Sequence, residues 1–266
     1  MRDTSGMRVL FLGSGTSFGV PVIGCSCPVC ASSDPRDKRY RASILIESRD
    51  AAGVVSTVVV DTGPEFRLQA LRARITRLDA ILLTHAHADH LNGLDDVRPL
   101  TIQSVLPVYG NASTLAETRE RFGYIFRETQ VGGGKPRIEL KVAQGPLIAG
   151  GMSIVPIPVS HGKLPILGWR TGKFAYITDC SELPESSLSL LEGVEVLVIN
   201  GLRRKPHATH FSLDQGMEAA RRIGARQTWL THMNHESTHA QLEEYCAERG
   251  ADVGARPAWD ALEFEV

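Results

Sequence analysis

In one short segment of the chain we single out five residues that can bind a metal ion or transfer a proton. The segment THAHADHLNGLDD runs from Thr84 to Asp96, and the five residues are His85, His87, Asp89, His90 and Asp95. Side chains alternate along an extended loop, so His85 and His87 are expected on one side, where they can bind one ion. Asp89 and His90 are adjacent and point elsewhere, which suits a second ion. Because a catalytic zinc ion takes three protein ligands and a water, four donors between His85 and His90 favour two ions.

The alternative interpretation is that these are surface residues that follow a strand, which is the better explanation for one isolated histidine. Three histidines and one aspartate within so short a segment reverse that preference, because titratable groups are rarely packed together without a cation. We therefore predict metal binding by this segment. The remaining ligands must come from later parts of the chain.

Apolar strands and helical segments alternate around this segment in two halves. The strand-like runs are MRVLFLGSG, ASILIES, STVVVDTGP and LDAILLTH in the first third, then GMSIVPIPVSHG, KFAYITDC, VEVLVIN and QTWLTHMNH. Each run ends in a turn former or in a polar, metal-capable residue. Helical spacing is found in PEFRLQALRARI, TLAETRERFGYIF, SLSLLEG and SLDQGMEAARRIG, the last starting at Ser212. The pattern predicts an α/β fold with functional residues at strand ends.

Composition limits the class of protein and its partners. The 266 residues contain 42% hydrophobic and 22% charged residues, which is typical of a folded, soluble enzyme. We find no repeat or linker and predict one domain over residues 1–266, with residues 1–6 as a flexible extension and Gln130 to Arg137 as a surface loop. The net charge of −1 argues against long nucleic acid as a partner. No apolar run could span a membrane or act as a secretory signal, so a cytoplasmic location is expected.

The metal segment also carries a family resemblance. THAHADH resembles the HxHxDH signature of metallo-β-lactamase-fold hydrolases, and it follows a predicted strand as that signature does. The resemblance covers nearly the whole chain, since DTG at Asp61, SHG at His161, YITDC at Asp179 and LTHMNH at His232 occur in the family's order. It implies a four-layer αββα sandwich.

The resemblance further implies how the ligands are divided between two ions. It assigns the first ion to His85, His87 and His161, the second to Asp89, His90 and His232, and the bridge between them to Asp179. Asp89 is expected to serve catalysis as well as ligation. Asp61 is not a ligand in this scheme and is expected to hydrogen-bond a ligand residue or a loop amide, or else to be a plain turn residue. Asp95 is left as an acid on a helix surface or beside the ligands.

The charge of such a site favours an anionic substrate. Two dications, two carboxylates and a bridging hydroxide leave about one net positive charge, which suits a phosphodiester. Two ions of zinc or manganese roughly 3.5 to 4 Å apart lower the pKa of the water between them and neutralise the phosphoryl oxygens. The hydroxide would then attack phosphorus without a protein nucleophile.

A second metal site is expected at the cysteines of GCSCPVC. Cys25, Cys27 and Cys30 are packed too tightly for disulfides among all three, whereas one zinc ion can bind them together. A similar motif is found in PhnP-like phosphoribosyl cyclic phosphodiesterases and in the PqqB proteins of quinone-cofactor synthesis. In the former family the fourth ligand is a histidine three residues beyond the last active-site histidine, which here is His235. The resemblance thus implies a structural zinc on a loop over residues 19–30; the alternative is three free thiols and a surface His235.

Substrate-side residues are expected in NGLRRKPHATHFSLDQG, a loop that precedes a predicted helix whose amide groups can bind phosphate. By resemblance to the PhnP-like enzymes and to tRNA 3′-processing nucleases, His210 stabilises the phosphoryl charge or protonates the leaving oxygen. His207 is the weaker candidate. A second phosphate could contact Arg203, and with it Arg204 and Lys205, although three consecutive cations are as often a solvated face.

These patterns favour hydrolysis of a small phosphodiester, such as a 1,2-cyclic ribose phosphate. The segments VSHGKLPILGWRTG and GLRRKPHATHFS depart from the phosphonate enzymes around the shared histidines, so the substrate is not fixed. The alternatives are a tRNA 3′-end endonuclease, a thioesterase or lactonase, and a PqqB-like accessory protein without hydrolytic activity. The resemblance also implies a homodimer.

Overall fold

A computed structural model describes residues 6–50, 52–128 and 134–266. Residues 1–5 of the predicted flexible extension and residues 130–133 of the predicted surface loop lie outside these described ranges. Among the helices within them, none combines the length and the apolar composition that a membrane crossing requires.

Strands between residues 7 and 142, together with a strand at residues 263–265, form a seven-stranded mixed sheet. Antiparallel pairs join its first four strands and parallel pairs join the last four. In spatial order the strands are β14 (Glu263–Glu265), β1 (Met7–Gly13), β2 (Ser43–Arg49), β3 (Val55–Val60), β4 (Ala80–Leu82), β5 (Leu106–Gly110) and β6 (Ile138–Val142).

The second half forms another seven-stranded mixed sheet. Its first four strands are parallel, and the remaining pairs are antiparallel. In spatial order they are β13 (Ala255–Pro257), β12 (Gln227–Thr231), β11 (Val196–Asn200), β10 (Phe174–Ile177), β9 (Leu164–Thr171), β8 (Met152–His161) and β7 (Leu147–Ala149).

Helices cover the outer faces of the two sheets. The two longest helices start at capping boxes, in which Ser212 pairs with Gln215 and Thr238 with Gln241. The helices are α1 (Pro28–Ala31), α2 (Phe66–Arg72), α3 (Ala88–Leu91), α4 (Ala112–Arg121), α5 (Gly123–Phe126), α6 (Glu185–Leu188), α7 (Leu213–Ile223) and α8 (His239–Arg249). Short 3₁₀ helices occupy Pro35–Asp37, Leu94–Thr101, Ser189–Leu191 and Ala251–Val253.

Alternating side chains within single strands build the layers. In β1, Val9 and Phe11 face the core between the two sheets, whereas Leu10 and Leu12 face the outer core beneath the helices. Strand β10 alternates in the same way between the central core and the outer core under α7 and α8. Both faces of each sheet are therefore buried, at about 1.5 to 3 kcal/mol for each large apolar side chain. The predicted αββα sandwich is confirmed.

Candidate metal centre

The site lies where strands of both sheets end. Strands β3 and β4 run parallel, as do β10, β11 and β12, and β8 points the same way as β10 because β9 is antiparallel to both. Carboxyl ends of parallel strands meet at one edge of a sheet, where ligands of α/β proteins commonly bind. The candidate residues follow these ends: Asp61 after β3, His85 to His90 after β4, His161 at the end of β8, Asp179 after β10 and His232 after β12.

The structure brings the expected ligands together in two adjacent groups. In each group the donor atoms lie within 4.8 Å of one another. The first group consists of His85, His87 and His161, and the second of Asp89, His90, Asp179 and His232. A third, overlapping group joins His161 and Asp179 to His210, so the substrate-side histidine lies at the same centre.

Asp179 occupies the middle of these groups. Its Oδ1 atom lies 2.9 Å from Nε2 of His210 and 3.0 Å from Nε2 of His232. Its Oδ2 atom lies 3.2 Å from Nε2 of His90 and accepts a 2.7 Å hydrogen bond from the Thr178 hydroxyl. Since Asp179 also shares a donor group with His161 of the first set, its carboxylate lies between the two sets, which is the placement that a bridging ligand needs.

Three of the site residues have a strained backbone. Asp61, Asp179 and His232 have φ angles of 62°, 55° and 57°, in the left-handed region that non-glycine residues seldom adopt. Such residues cost of order 1 to 3 kcal/mol each and concentrate at functional sites. The fold therefore accepts strain in order to aim these side chains into the centre.

The donor set fits a metal ion because several of its buried nitrogens make no hydrogen bond. Nε2 of His85 has no hydrogen-bond partner among the described residues, and Nε2 of His90 and His232 lie near the Asp179 carboxylate without forming a hydrogen bond to it. An unpaired buried polar group costs roughly 1 to 3 kcal/mol. A divalent cation bound between these nitrogens and the carboxylates would give each of them a partner.

Protons compete with a cation for the histidines of the centre, and they compete more strongly as the pH falls. Burial disfavours a charged His232, but the adjacent Asp179 carboxylate outweighs burial and raises the pKa of His232 to about 9. Burial likewise opposes charge on His90, and Asp179 and Asp89 still raise its pKa well above the usual value. Without metal these histidines hold protons, so a cation must displace the protons and binds less tightly as the pH falls.

A buried network orients one histidine of each group. Nδ1 of His90 donates to Oδ2 of Asp61 at 2.7 Å, and the Thr84 hydroxyl donates to the same oxygen at 2.8 Å. The Thr84 hydroxyl proton is already donated to Asp61. The 3.0 Å hydrogen bond between Nδ1 of His85 and Oγ1 of Thr84 must therefore be donated by the histidine. The backbone N–H of Thr84 also donates to Oδ1 of Asp61. Asp61 and Thr84 therefore turn Nε2 of both histidines into the centre.

Replacing Thr84 with valine should weaken metal binding by about 10- to 100-fold, as loss of a hydrogen-bond partner behind a ligand typically does. Valine keeps the shape of threonine but cannot connect His85 to Asp61. The measurement is metal affinity by competition with a chromophoric chelator. Thr84→Ser is the matched control and should bind like the parent; equal affinity for Thr84→Val would show that the network does not support the ligands.

The end of β8 and the loop before α7 position each other. Nδ1 of His161 donates to the Thr209 carbonyl at 2.7 Å, which leaves Nε2 facing the centre. At Gly162 a Cβ atom would lie only 2.9 Å from Cγ2 of Thr209, and the φ of 59° also favours glycine there. Burial lowers the pKa of His161, which keeps it neutral as a metal ligand must be.

His210 has further partners besides Asp179. Its Nδ1 atom lies 2.9 Å from the Thr209 hydroxyl and 3.2 Å from Nδ1 of His207. The His210 side chain keeps 13% of its surface exposed and His207 is exposed, so His210 is open to a substrate at the centre. This contact with Asp179 has no local signal in the sequence, because the two residues are 31 positions apart.

The neighbouring basic residues have partners of their own. Nη1 of Arg203 lies 3.2 Å from the Glu236 carboxylate. The guanidinium of Arg204 stacks on the ring of Tyr245, 4.6 Å from its centroid. Lys205 is exposed. A substrate contact by Arg203 would therefore have to compete with Glu236.

The cysteine segment and His235 form a separate closed group. Sγ of Cys25, Cys27 and Cys30 lie 3.5, 3.4 and 3.4 Å from Nδ1 of His235. The backbone N–H of Cys30 helps to lower the pKa of the Cys27 thiol to about 6, so this ligand is a thiolate at neutral pH. Three thiols around one imidazole nitrogen suit a structural zinc site with no open position.

Replacing Cys27 with serine should remove one zinc ion per chain. Serine offers no thiolate, and three remaining ligands hold zinc poorly. Elemental analysis of the purified variant measures the loss. Cys246→Ser, which changes a buried cysteine in α8 outside this group, is the matched control. Unchanged zinc content in Cys27→Ser would remove the structural site.

Comparison with known proteins identifies the family. Residues 56–233 match the family model of the beta-lactamase superfamily domain. A crystal structure described as a new diphosphatase from the PhnP family is 39% identical, with a TM-score of 0.87, over 98% of this chain and 97% of that one. The chain belongs to the PhnP family of this superfamily. The resemblance seen in the sequence is therefore confirmed.

Two further relatives show how widely the PhnP-type fold is used. An octanoyltransferase of Porphyromonas gingivalis is 40% identical over 241 residues, which are 90% of this chain but 47% of that protein, so the chain spans about half the length of this relative. Zinc-bound PqqB from Methylobacterium extorquens matches with a TM-score of 0.77 at 18% identity, covering 97% of this chain and 100% of that one. At that identity the PqqB match shows a shared fold. The superfamily and the His/Asp groups together support a metal-dependent hydrolase with a divalent-metal site.

Proposed function

We propose that this PhnP-family chain is a phosphodiesterase that hydrolyses a small phosphodiester, such as a cyclic ribose phosphate. The observation that carries the proposal is the position of Asp179, which contacts His90 through one carboxylate oxygen and both His232 and His210 through the other. Such a centre can bind a phosphate and deliver a proton to it at the same place.

The proposed ligands divide into two sets. His85, His87 and His161 would hold the first ion, Asp89, His90 and His232 the second, and Asp179 would bridge them. When bound, two zinc or manganese ions supply an activated water and neutralise the charge of the phosphate. Two carboxylates would neutralise only half of the charge of two dications. The centre would therefore stay positive and attract an anionic ester in preference to a neutral one.

His210 is the proposed proton donor. Its Nε2–H now donates to Asp179, and a phosphate entering the centre would take over that hydrogen bond. The Thr209 hydroxyl beside Nδ1 keeps the ring oriented during this exchange. From there Nε2–H can stabilise a phosphoryl oxygen or protonate the leaving oxygen.

A second candidate is hydrolysis of a diphosphate. The 39%-identical PhnP-family structure is described as a diphosphatase, which favours this reaction. Both reactions displace an oxygen at phosphorus and need the same positive centre. They differ in the group that leaves, which the residues around His207 and Arg203 would contact.

The alternative functions are acyl-group chemistry, nuclease activity and a PqqB-like role. One relative is named an octanoyltransferase, so an octanoyl thioester belongs in any substrate panel. We propose a small substrate because proteins that bind long nucleic acid usually carry an excess of positive charge, whereas the net charge of this chain is −1. A single-domain homodimer acting in the cytoplasm stays a prediction.

The test is a screen of the metal-loaded protein over cyclic phosphates, linear nucleotides, diphosphate esters and thioesters. We expect turnover of a phosphodiester or diphosphate and none of the thioesters. Preferred turnover of a thioester would contradict the proposal. So would failure to hydrolyse bis(p-nitrophenyl) phosphate with added manganese.

A further inference from the structure

The loop between β12 and α8 carries residues of two different metal-ligand groups. His232 belongs to the His/Asp centre and His235, three residues later, to the cysteine group. The backbone hydrogen bonds from this loop to other segments are found at its start: Met233 N–H donates to Ser14, Thr16 N–H donates to the Met233 carbonyl, and Asn234 N–H donates to Leu202. Both ligand groups therefore depend on whatever else holds the loop in place.

Arg39 donates hydrogen bonds to the loop on both sides of His235. Its Nη1 donates to the Asn234 carbonyl at 2.5 Å, and its Nη2 lies 3.3 Å from the Ser237 carbonyl. Nη2 also pairs with Oδ1 of Asp37 at 3.3 Å. Asp37 Oδ1 in turn accepts a 2.6 Å hydrogen bond from the N–H of His239, the first residue of α8. Arg39 and Asp37, here called the Arg39–Asp37 clamp, hold the start, the middle and the end of the loop.

The same arginine is tied to the cysteine segment through its backbone. Arg39 N–H donates to the Val20 carbonyl at 2.8 Å, and Val20 N–H donates back to the Arg39 carbonyl at 2.9 Å. Val20 belongs to the segment that leads to the cysteines and packs with Val29 and Cys30. One residue therefore links the segment that carries three proposed ligands to the loop that carries two more.

A buried charge in this position is costly. Arg39 is 1% exposed and Asp37 2%, and removing a charged pair from water costs several kcal/mol for each ion before the pair is formed. Two apolar side chains would fill the same space without this desolvation cost. They could not, however, hydrogen-bond two backbone carbonyl groups and the first N–H of a helix. The cost indicates that the exact path of the loop matters.

We propose that Arg39, with Asp37, is a positioning residue that sets His232 and His235 for metal binding without itself touching an ion. This inference rests on the proposed function, since it assumes that both groups bind metal. The first group, His85, His87 and His161, has no contact with the clamp and serves as an internal reference.

The test is a cobalt(II) titration of Arg39→Met, which removes the guanidinium but keeps a long apolar side chain. Cobalt bound to thiolates gives a charge-transfer band that separates the cysteine site from the His/Asp sites. We expect affinity at the cysteine site and at the His232 site to fall about 10- to 100-fold, with the first active-site ion unchanged. Arg170→Met is the matched control, because Arg170 also donates to two backbone carbonyls but lies at the opposite end of β9 from the centre.

Each outcome of this titration decides the matter. Parent-like affinities in Arg39→Met overturn the clamp and leave the proposed function intact. Equal weakening at all three sites, or in Arg170→Met, also overturns it, because that is the result of general destabilisation. If Arg39→Met does not fold, Asp37→Asn decides: a smaller, equally selective loss supports the clamp and unchanged affinity overturns it. No cobalt binding by the parent chain overturns both proposals.

Discussion

Replacing Asp179 with asparagine is expected to lower phosphodiester turnover by at least about 10³-fold, which corresponds to roughly 4 kcal/mol of lost transition-state stabilisation. Asparagine has the same shape but no charge, so it cannot neutralise two cations or the three imidazoles that Asp179 contacts. Burial acts to raise the pKa of Asp179, but the charges of His232 and His90 hold it far below its usual value, so the native group is a carboxylate.

The measurement is kcat with bis(p-nitrophenyl) phosphate, together with metal content. We expect Asp179→Asn to lose an active-site ion as well as activity, while the cysteine-site zinc is kept. Asp95→Asn is the matched control, because Asp95 follows the proposed ligands Asp89 and His90 in the chain but pairs with Arg98 and Tyr124 at the surface. If Asp179→Asn keeps both ions and most of its activity, Asp179 does not bridge them.

Replacing His210 with alanine is expected to lower turnover by about 10²- to 10³-fold while leaving metal content unchanged. His210 is the one partner of Asp179 that is open to a substrate, and its Nε2–H is the donor closest to the carboxylate at the centre. A loss of metal in His210→Ala would instead make His210 a ligand, as the third donor group with His161 and Asp179 allows.

The leaving group distinguishes the two roles of His210. If His210 protonates the leaving oxygen, its removal should slow an alkyl ester far more than a nitrophenyl ester, because nitrophenolate leaves without a proton. If His210 stabilises phosphoryl charge, both esters should slow equally. His207→Ala is the comparison variant: it should slow both esters alike and far less than His210→Ala, since His207 contacts the Thr209 hydroxyl and the outer nitrogen of His210 but not Asp179. Full turnover by His210→Ala would remove the residue from the mechanism.

Much of this centre could be predicted from the sequence because residues that can bind a metal ion follow shortly after predicted strands. Strands β3, β4, β10 and β12 are short apolar runs, and a residue of the centre follows each of them within three positions: Asp61, His85, Asp179 and His232. The spacing of His85, His87 and His90 places the first two side chains on one face of an extended segment and the third on the other, whatever the fold. Distant residues such as His161 could be assigned through the family resemblance alone, since nothing local links them to the segment.

Other features could not be predicted, for physical reasons. Strand β9 begins with Leu164 and Pro165 and contains Gly168, which weakens any strand pattern; the glycine is needed because a Cβ there would lie 3.0 Å from the Tyr176 carbonyl of the next strand. Helix α8 is amphipathic only weakly, and its clearest signal was the capping box at Thr238. Thr84 and Arg39 act through partners far along the chain, and a single sequence shows no such pairing.

The most direct test of the account is a metal titration of the stripped protein with bis(p-nitrophenyl) phosphate hydrolysis as the readout. The account predicts three ions per chain in the zinc-loaded protein, one at the cysteine group and two at the His/Asp centre, with activity appearing only as the second active-site ion binds. Full activity with a single ion at the His/Asp centre, or no hydrolysis when both positions are filled, would contradict it.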